Sequence, residues 1–163
     1  MPKAPNQIAL SAKSRKTDPK RAEERAAARG DDGGDSERTA RLAGRAALEK
    51  KAGDVLLLDL RGLSGYADFL VLSSGGNERQ LDAVADGVEK AMKEAGHRLV
   101  GAEGQHSARW QLLDFGDVVV HVFHEEERHH YDLEGLWADA PRERMHEEVA
   151  PREGASAPGS ASV

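Results

Sequence analysis

Apolar side chains recur along the chain with two different periods, and each change of period marks an element. From Leu81 the series Leu81, Val84, Ala85, Val88, Ala91, Met92 and Ala95 advances in steps of three and four, the spacing that lines one face of an α-helix. Asn77 stands where a cap belongs, Gln80 takes the capping-box position, and Gly96 supplies a left-handed stop. A shorter stripe of Leu42, Ala43, Ala46, Ala47 and Leu48 predicts a helix over 41–52, capped by Ser36 or Thr39 and ended by Gly53. The other apolar runs are short, and they predict strands over 55–60, 68–73, 98–102, 109–114 and 118–123. In the last of these Val118, Val120 and Val122 share one face while Val119, His121 and Phe123 share the other. A strand apolar on both faces is a central one.

The order α-β-β-α-β-β-β predicts an α/β (α+β) fold: a single mixed five-stranded sheet with helices packed on it. The unit over 68–102 should be a right-handed crossover between parallel strands. Apolar patterning is confined to 37–140, which is expected to be one folded domain. Residues 1–36 end in Gly30-Asp31-Asp32-Gly33-Gly34-Asp35, and residues 141–163 run into Ala, Ser, Gly and Pro. Both read as disordered by composition, an N-terminal extension with a linker and a C-terminal tail.

Charge changes that picture, because it is divided unevenly. Residues 1–29 carry eight Lys and Arg against three Asp and Glu, a net of +5; with −6 on the whole chain, −11 falls on the rest. An acidic body suits a basic protein surface, and a basic arm suits phosphates. The chain has no Cys, so disulfides, thiolate metal sites and cysteine nucleophiles are excluded. No run of about eighteen apolar residues is present, and the N-terminus lacks a continuous apolar core, so the expected setting is the cytoplasm, without membrane contact.

Candidate chemistry concentrates in 108–137, which holds both Trp and one of the two Tyr of a chain only 4% aromatic. His121, His124, His129 and His130 fall within ten residues there, yet in extended chain His121 and His124 point to opposite faces, and so do His129 and His130. No metal site and no cofactor is expected. Gly75-Gly76-Asn77 matches neither the dinucleotide nor the phosphate-loop pattern, and Asp82 and Asp86 lie on the helix itself. Asp114 and Asp117 flank a turn at Phe115-Gly116. What remains is a surface: Trp110, Leu112, Tyr131, Glu134 and Trp137 as partner-binding residues, the aromatic rings acting as anchors inside an acidic rim. Asp114, His121 and Arg128 support them, with Arg128 expected to pair with Glu134.

The string Trp110-x-Leu112-Leu113-Asp114-x-Gly116-Asp117-Val118-Val119-Val120-His121-Val122-Phe123, followed by Arg128-x-x-Tyr131-x-Leu133-Glu134-x-Leu136-Trp137, resembles the ribosomal silencing factor (Iojap) family. Upstream, Asp54-Val55-Leu56-Leu57-Leu58-Asp59, Ser64-x-x-Ala67-Asp68-Phe69, Gly75-x-Asn77-x-Arg79-Gln80 and Glu103-Gly104 match in the same order. Ala67 stands where the family often has Thr, and His130 where an aromatic or aliphatic residue is more usual. The resemblance spans roughly 40–140 and implies a nucleotidyltransferase-like fold without enzymatic activity. It implies binding to the large ribosomal subunit through its protein fourteen, and obstruction of subunit joining that lowers translation when nutrients are scarce. It also implies a homodimer, for which an edge strand is a route; ribosomal RNA contact by the basic arm is a further expectation. Two alternatives stand beside it: a nucleotidyltransferase-like enzyme using the Gly75 turn, and an RNA-binding adaptor working through the arm.

Overall fold

A computed structural model of the chain describes residues 33–64 and 67–147. Its elements are α1 (Gly33–Glu49), β1 (Gly53–Asp59), β2 (Phe69–Gly75), α2 (Glu78–Glu94), β3 (Gly101–Glu103), β4 (Trp110–Asp114), β5 (Val118–His124), α3 (Glu125–Tyr131), α4 (Leu133–Leu136) and β6 (Arg142–Arg144). The strands form one mixed sheet in the order β3-β4-β5-β2-β1-β6. Only β2 and β5 pair in parallel; the other neighbours are antiparallel.

The sheet therefore has six strands, not five. The extra one, β6, is Arg-Glu-Arg and exposed throughout, so it carries no apolar signal, and it lies beyond the expected domain end at 140. Its main chain continues the sheet onto β1, with Leu57 opposite Glu143. Strand β3 lies later than expected because Val100 is 65% exposed rather than part of a buried run. It runs in the same direction as β2, as a crossover requires, but β5 and β4 stand between them.

Helix α1 also starts earlier than expected and stops sooner. Ser36, Ala40, Ala43 and Ala47 are buried at helical spacing, which carries the packed stripe a full turn upstream, and the Ser36 hydroxyl donates to Asp68 Oδ2 at 3.0 Å. The stop is Lys51, not Gly53: Lys51 holds φ at 65°, and Ala52 N donates to Ala47 O while Lys51 N donates to Leu48 O. This paired closure normally uses glycine. Helix α2 makes the same closure with Gly96 at φ 88°, as its sequence predicted. Asn77 accepts from Gln80 N at 2.9 Å, and Gln80 Oε1 reaches back to Gly76 N at 2.8 Å.

The two faces of the sheet bury separate cores. One joins Leu57, Val71, Leu113, Val118, Val120 and Val122 to the stripes of α1 and α2. The other gathers Leu56, Leu58, Leu70, Leu72, Trp110, Leu112, Val119 and Phe123 beneath Leu133 and Trp137. Strand β5 contributes alternate residues to each, which confirms its central position.

Candidate partner-binding face

Three residues turn β5 into the two short helices that cover the second face. His124 is extended at φ −66°, and its Nδ1 accepts from Glu126 N at 3.2 Å, capping α3. Asp132 then takes a left-handed φ of 45°; its N–H closes α3 on Arg128 O, and its carboxylate accepts from Gly135 N at 3.0 Å to begin α4. A Cβ at Gly135 would meet the Asp132 carboxylate, so a larger residue there would displace that cap. The result is a bent seven-plus-four-residue cover with Glu125, Glu126 and Asp132 exposed and Tyr131 half-buried.

Beneath it lies an aromatic cluster. The Trp110 ring sits 4.7 Å from Phe123, 4.8 Å from Tyr131 and 5.7 Å from His121, centroid to centroid. Trp110 Nε1 donates to His121 Nδ1 at 3.0 Å; because indole N–H can only donate, the imidazole carries its own proton on Nε2. That Nε2 is buried with no hydrogen-bond partner among the described residues. Burial holds the imidazole neutral, pushing its pKa down to about 3.

The expectation that both tryptophans present their rings at the surface is corrected here. Trp110 and Trp137 are 0% and 1% exposed, and Leu112 is buried with them. The few aromatic residues of the block are consumed by its core: His121 and Phe123 stack on one another from β5, and Trp110 packs tilted against both on the same face, so these three rings cluster beneath the surface. Of the expected contact residues, Tyr131 and Glu134 keep partial exposure. Asp114 lies at the far end of β4, where its carboxylate accepts from Gly116 N at 2.8 Å in the predicted turn; it is not brought to the α3–α4 cover.

Arg128 is buried at 7% exposure and fastens the cover to the sheet. Its Nε donates to Glu134 Oε1 at 2.8 Å, as expected. Its Nη1 donates to Ser74 Oγ at 2.7 Å and to Asp54 O at 2.5 Å, and Nη2 lies 3.6 Å from Asp54 Oδ2. Arg144 of β6 pairs with the same Asp54 carboxylate, and Arg142 donates to the carbonyls of Glu134 and Trp137. Sequence reasoning missed Asp54, Ser74, Arg142 and Arg144. The signal available was the alternation Arg142-Glu143-Arg144, which sends its arginines to this face while Glu143 meets Arg41 of α1 at 2.7 Å.

Among the described residues, no three His, Asp or Glu side chains converge to hold a metal ion, and no helix is long and apolar enough to cross a membrane. The open groove between α1 and β6, about 730 Å³, is lined by ions that pair with one another, Arg41 with Glu143 and Lys51 with Glu147.

Fold and site together define a class: an α+β domain with long helices on one face of its sheet and a short, acidic cover on the other. A family model described as ribosomal silencing factor during starvation matches residues 34–162, and the chain belongs to that family. The ribosomal silencing factor of Halalkalibacterium halodurans is 47% identical over 100 residues, covering 61% of this chain and 86% of that protein. Its counterpart in Bacillus subtilis is 44% identical over 101 residues, 62% of this chain and 86% of that protein. A crystal structure of a Chromobacterium violaceum protein superimposes with a TM-score of 0.61 at 34% identity, over 76% of this chain and 97% of that one. A mouse protein named for mitochondrial assembly of the ribosomal large subunit is 32% identical over 92 residues, 55% of this chain and 40% of that protein. Ribosome-associated regulation of translation is thus the role of the family to which the chain belongs.

Proposed function

We propose that this protein binds the large ribosomal subunit through protein fourteen, at the face that meets the small subunit, and blocks subunit joining by occupying that face. The observation that carries the reading is the α3–α4 cover: a surface of Glu125, Glu126, Asp132 and Tyr131 held rigidly over an aromatic core. Ribosomal proteins sit among phosphates and are basic as a class, so an acidic face steers the encounter while Tyr131 supplies a buried contact. Family membership and the large-subunit name of the mouse relative agree with it.

In this reading the expected contact set divides. Tyr131 and Glu134 stand at the contact, and Trp110, Leu112 and Trp137 act from beneath, with His121 and Arg128 as their supports. Asp114 shapes the β4–β5 turn. The mechanism is steric, with no bond made or broken, and its setting is the cytoplasm. The basic residues of 1–36 add contacts to ribosomal RNA, and an exposed sheet edge at β3 or β6 offers a route to a homodimer.

Co-sedimentation with purified large subunits, followed by addition of small subunits, tests this directly. Wild-type protein should pellet with large subunits and lower the yield of joined ribosomes. Tyr131→Ala combined with Glu125→Lys and Glu126→Lys should lose both effects while keeping the wild-type circular dichroism spectrum. Absence of wild-type binding would overturn the reading.

A further inference from the structure

The backbone at Asp54 is left-handed, with φ at 49°, where β1 slips its register against β2 between Gly53 and Leu56. Residues bearing a side chain avoid this region, and they persist in it only where their surroundings hold them. Here the surroundings are specific. The left-handed turn brings both the carbonyl and the carboxylate of Asp54 to one guanidinium: Arg128 Nη1 donates to the carbonyl at 2.5 Å, and the buried Nη2, which has no hydrogen-bond partner among the described residues, faces the carboxylate charge with Oδ2 at 3.6 Å. The other carboxylate oxygen pairs with Arg144, and the far side of Arg128 donates to Glu134 at 2.8 Å. The ions therefore alternate in sign, from Arg144 through Asp54 and Arg128 to Glu134, and the chain they form crosses from β6 through the end of β1 to α3 and α4.

We infer that Asp54 is a positioning residue for the binding face: it fixes the plane of the Arg128 guanidinium and so sets where α3 and α4 stand on the sheet. Helices of seven and four residues have too few internal hydrogen bonds to hold a pose alone. A planar guanidinium clamped on several edges is rigid where an ammonium would swivel. Arg128 is also buried, and a buried cation deprived of one counter-charge draws its remaining partners toward itself or toward solvent. In either case the cover shifts, and Tyr131 and the acidic residues shift with it. The binding readout of this inference rests on the ribosomal reading; the structural readout does not.

The test compares Asp54→Asn and Asp54→Gly with wild-type protein. Asparagine and glycine both accept the left-handed turn, so both variants keep the backbone and lose only the carboxylate. If Asp54 served the turn alone, glycine would match or exceed wild type in every assay. The expected result is a melting temperature at or near wild type, amide exchange in 125–137 faster by roughly tenfold, and affinity for large subunits lower by roughly tenfold. Glu147→Gln removes one negative charge from the Lys51 pair near β6 and should leave both exchange and affinity unchanged, which separates positioning from net charge. Wild-type exchange across 125–137 in both Asp54 variants would overturn the inference. If wild-type protein fails to bind large subunits, the ribosomal reading falls, and the exchange rates alone then decide the role of Asp54.

Discussion

The two faces of the sheet are covered by different physical means. On one, α1 and α2 are seventeen residues each and bury continuous stripes, from Ala40 to Ala47 and from Leu81 to Met92. Polar contacts such as Ser36 with Asp68 and Gln111 with Asp82 lie at the margins of these stripes, and most of the buried area there is apolar. On the other, eleven helical residues lie over a cluster of aromatic rings and are fastened by one buried arginine. Apolar area is non-directional, so it stabilises without fixing a pose, whereas a guanidinium hydrogen-bonded to Glu134, Ser74 and the Asp54 carbonyl fixes one orientation. The face proposed to meet a partner is the one whose cover is fastened by a directed contact.

The largest expected effect comes from removing apolar mass on each side. Met92→Ala on the buried face of α2 should cost about 2–5 kcal/mol and Trp110→Ala beneath the cover about 3–5 kcal/mol, read by urea denaturation. Their local consequences should differ. Loss of Met92 leaves a cavity between helix and sheet and spares the α3–α4 pose, so the remaining folded protein should still bind large subunits. Loss of Trp110 removes the ring under Tyr131, the acceptor role of His121 Nδ1 and the support of the cover together, so binding should fail even in conditions where the variant is folded. Equal binding by both would break the distinction between the faces.

A second test uses acidity, because only the second face buries an imidazole. Burial pushes the His121 pKa from 6.5 down to about 3. Between those values the unfolded chain binds a proton that the folded chain refuses, so stability rises with pH through this window and is lost as pH falls below about 6.5. The contribution is at most about 1.4 kcal/mol per pH unit for one group. Substituting His121→Gln should flatten the stability profile between pH 6.5 and pH 4 relative to wild type. A variant retaining the same slope would assign the acid sensitivity to the carboxylates instead.

The contrast between the faces also explains what could be read from the sequence. The stripe of α2, its cap at Asn77 and its stop at Gly96 are local signals, and all three appear in the structure. Strand β5 was legible as central from its own alternation. Arg128 with Glu134 was legible because both lie in one short block. Asp54 reaches that arginine from 74 residues upstream, and Arg144 pairs with Asp54 from a strand of pure charge; no periodicity points to either. The tryptophans misled for a related reason. Scarce aromatics suggest anchors for a partner, but His121 and Phe123 stand two residues apart on β5 and form with Trp110 a cluster that absorbs them.

The smallest effect sharpens the comparison most cleanly, because the same device occurs on both faces. Asn77 caps α2 by accepting from Gln80 N at 2.9 Å, and His124 caps α3 by accepting from Glu126 N at 3.2 Å. Removing a cap costs about 1 kcal/mol in a typical helix. In α2 that loss falls on one end of a helix whose five buried side chains hold the rest, so Asn77→Ala should lower global stability by about that amount and change exchange only in the first turn. In α3 the cap serves a seven-residue helix with Arg128 as its buried residue. His124→Ala should therefore cost about as little in global unfolding, yet accelerate exchange along all of α3 and weaken ribosome binding. If exchange in α3 stayed confined to its first turn, the short cover would be held by more than its cap and its arginine, and the division between area on one face and directed contacts on the other would not stand.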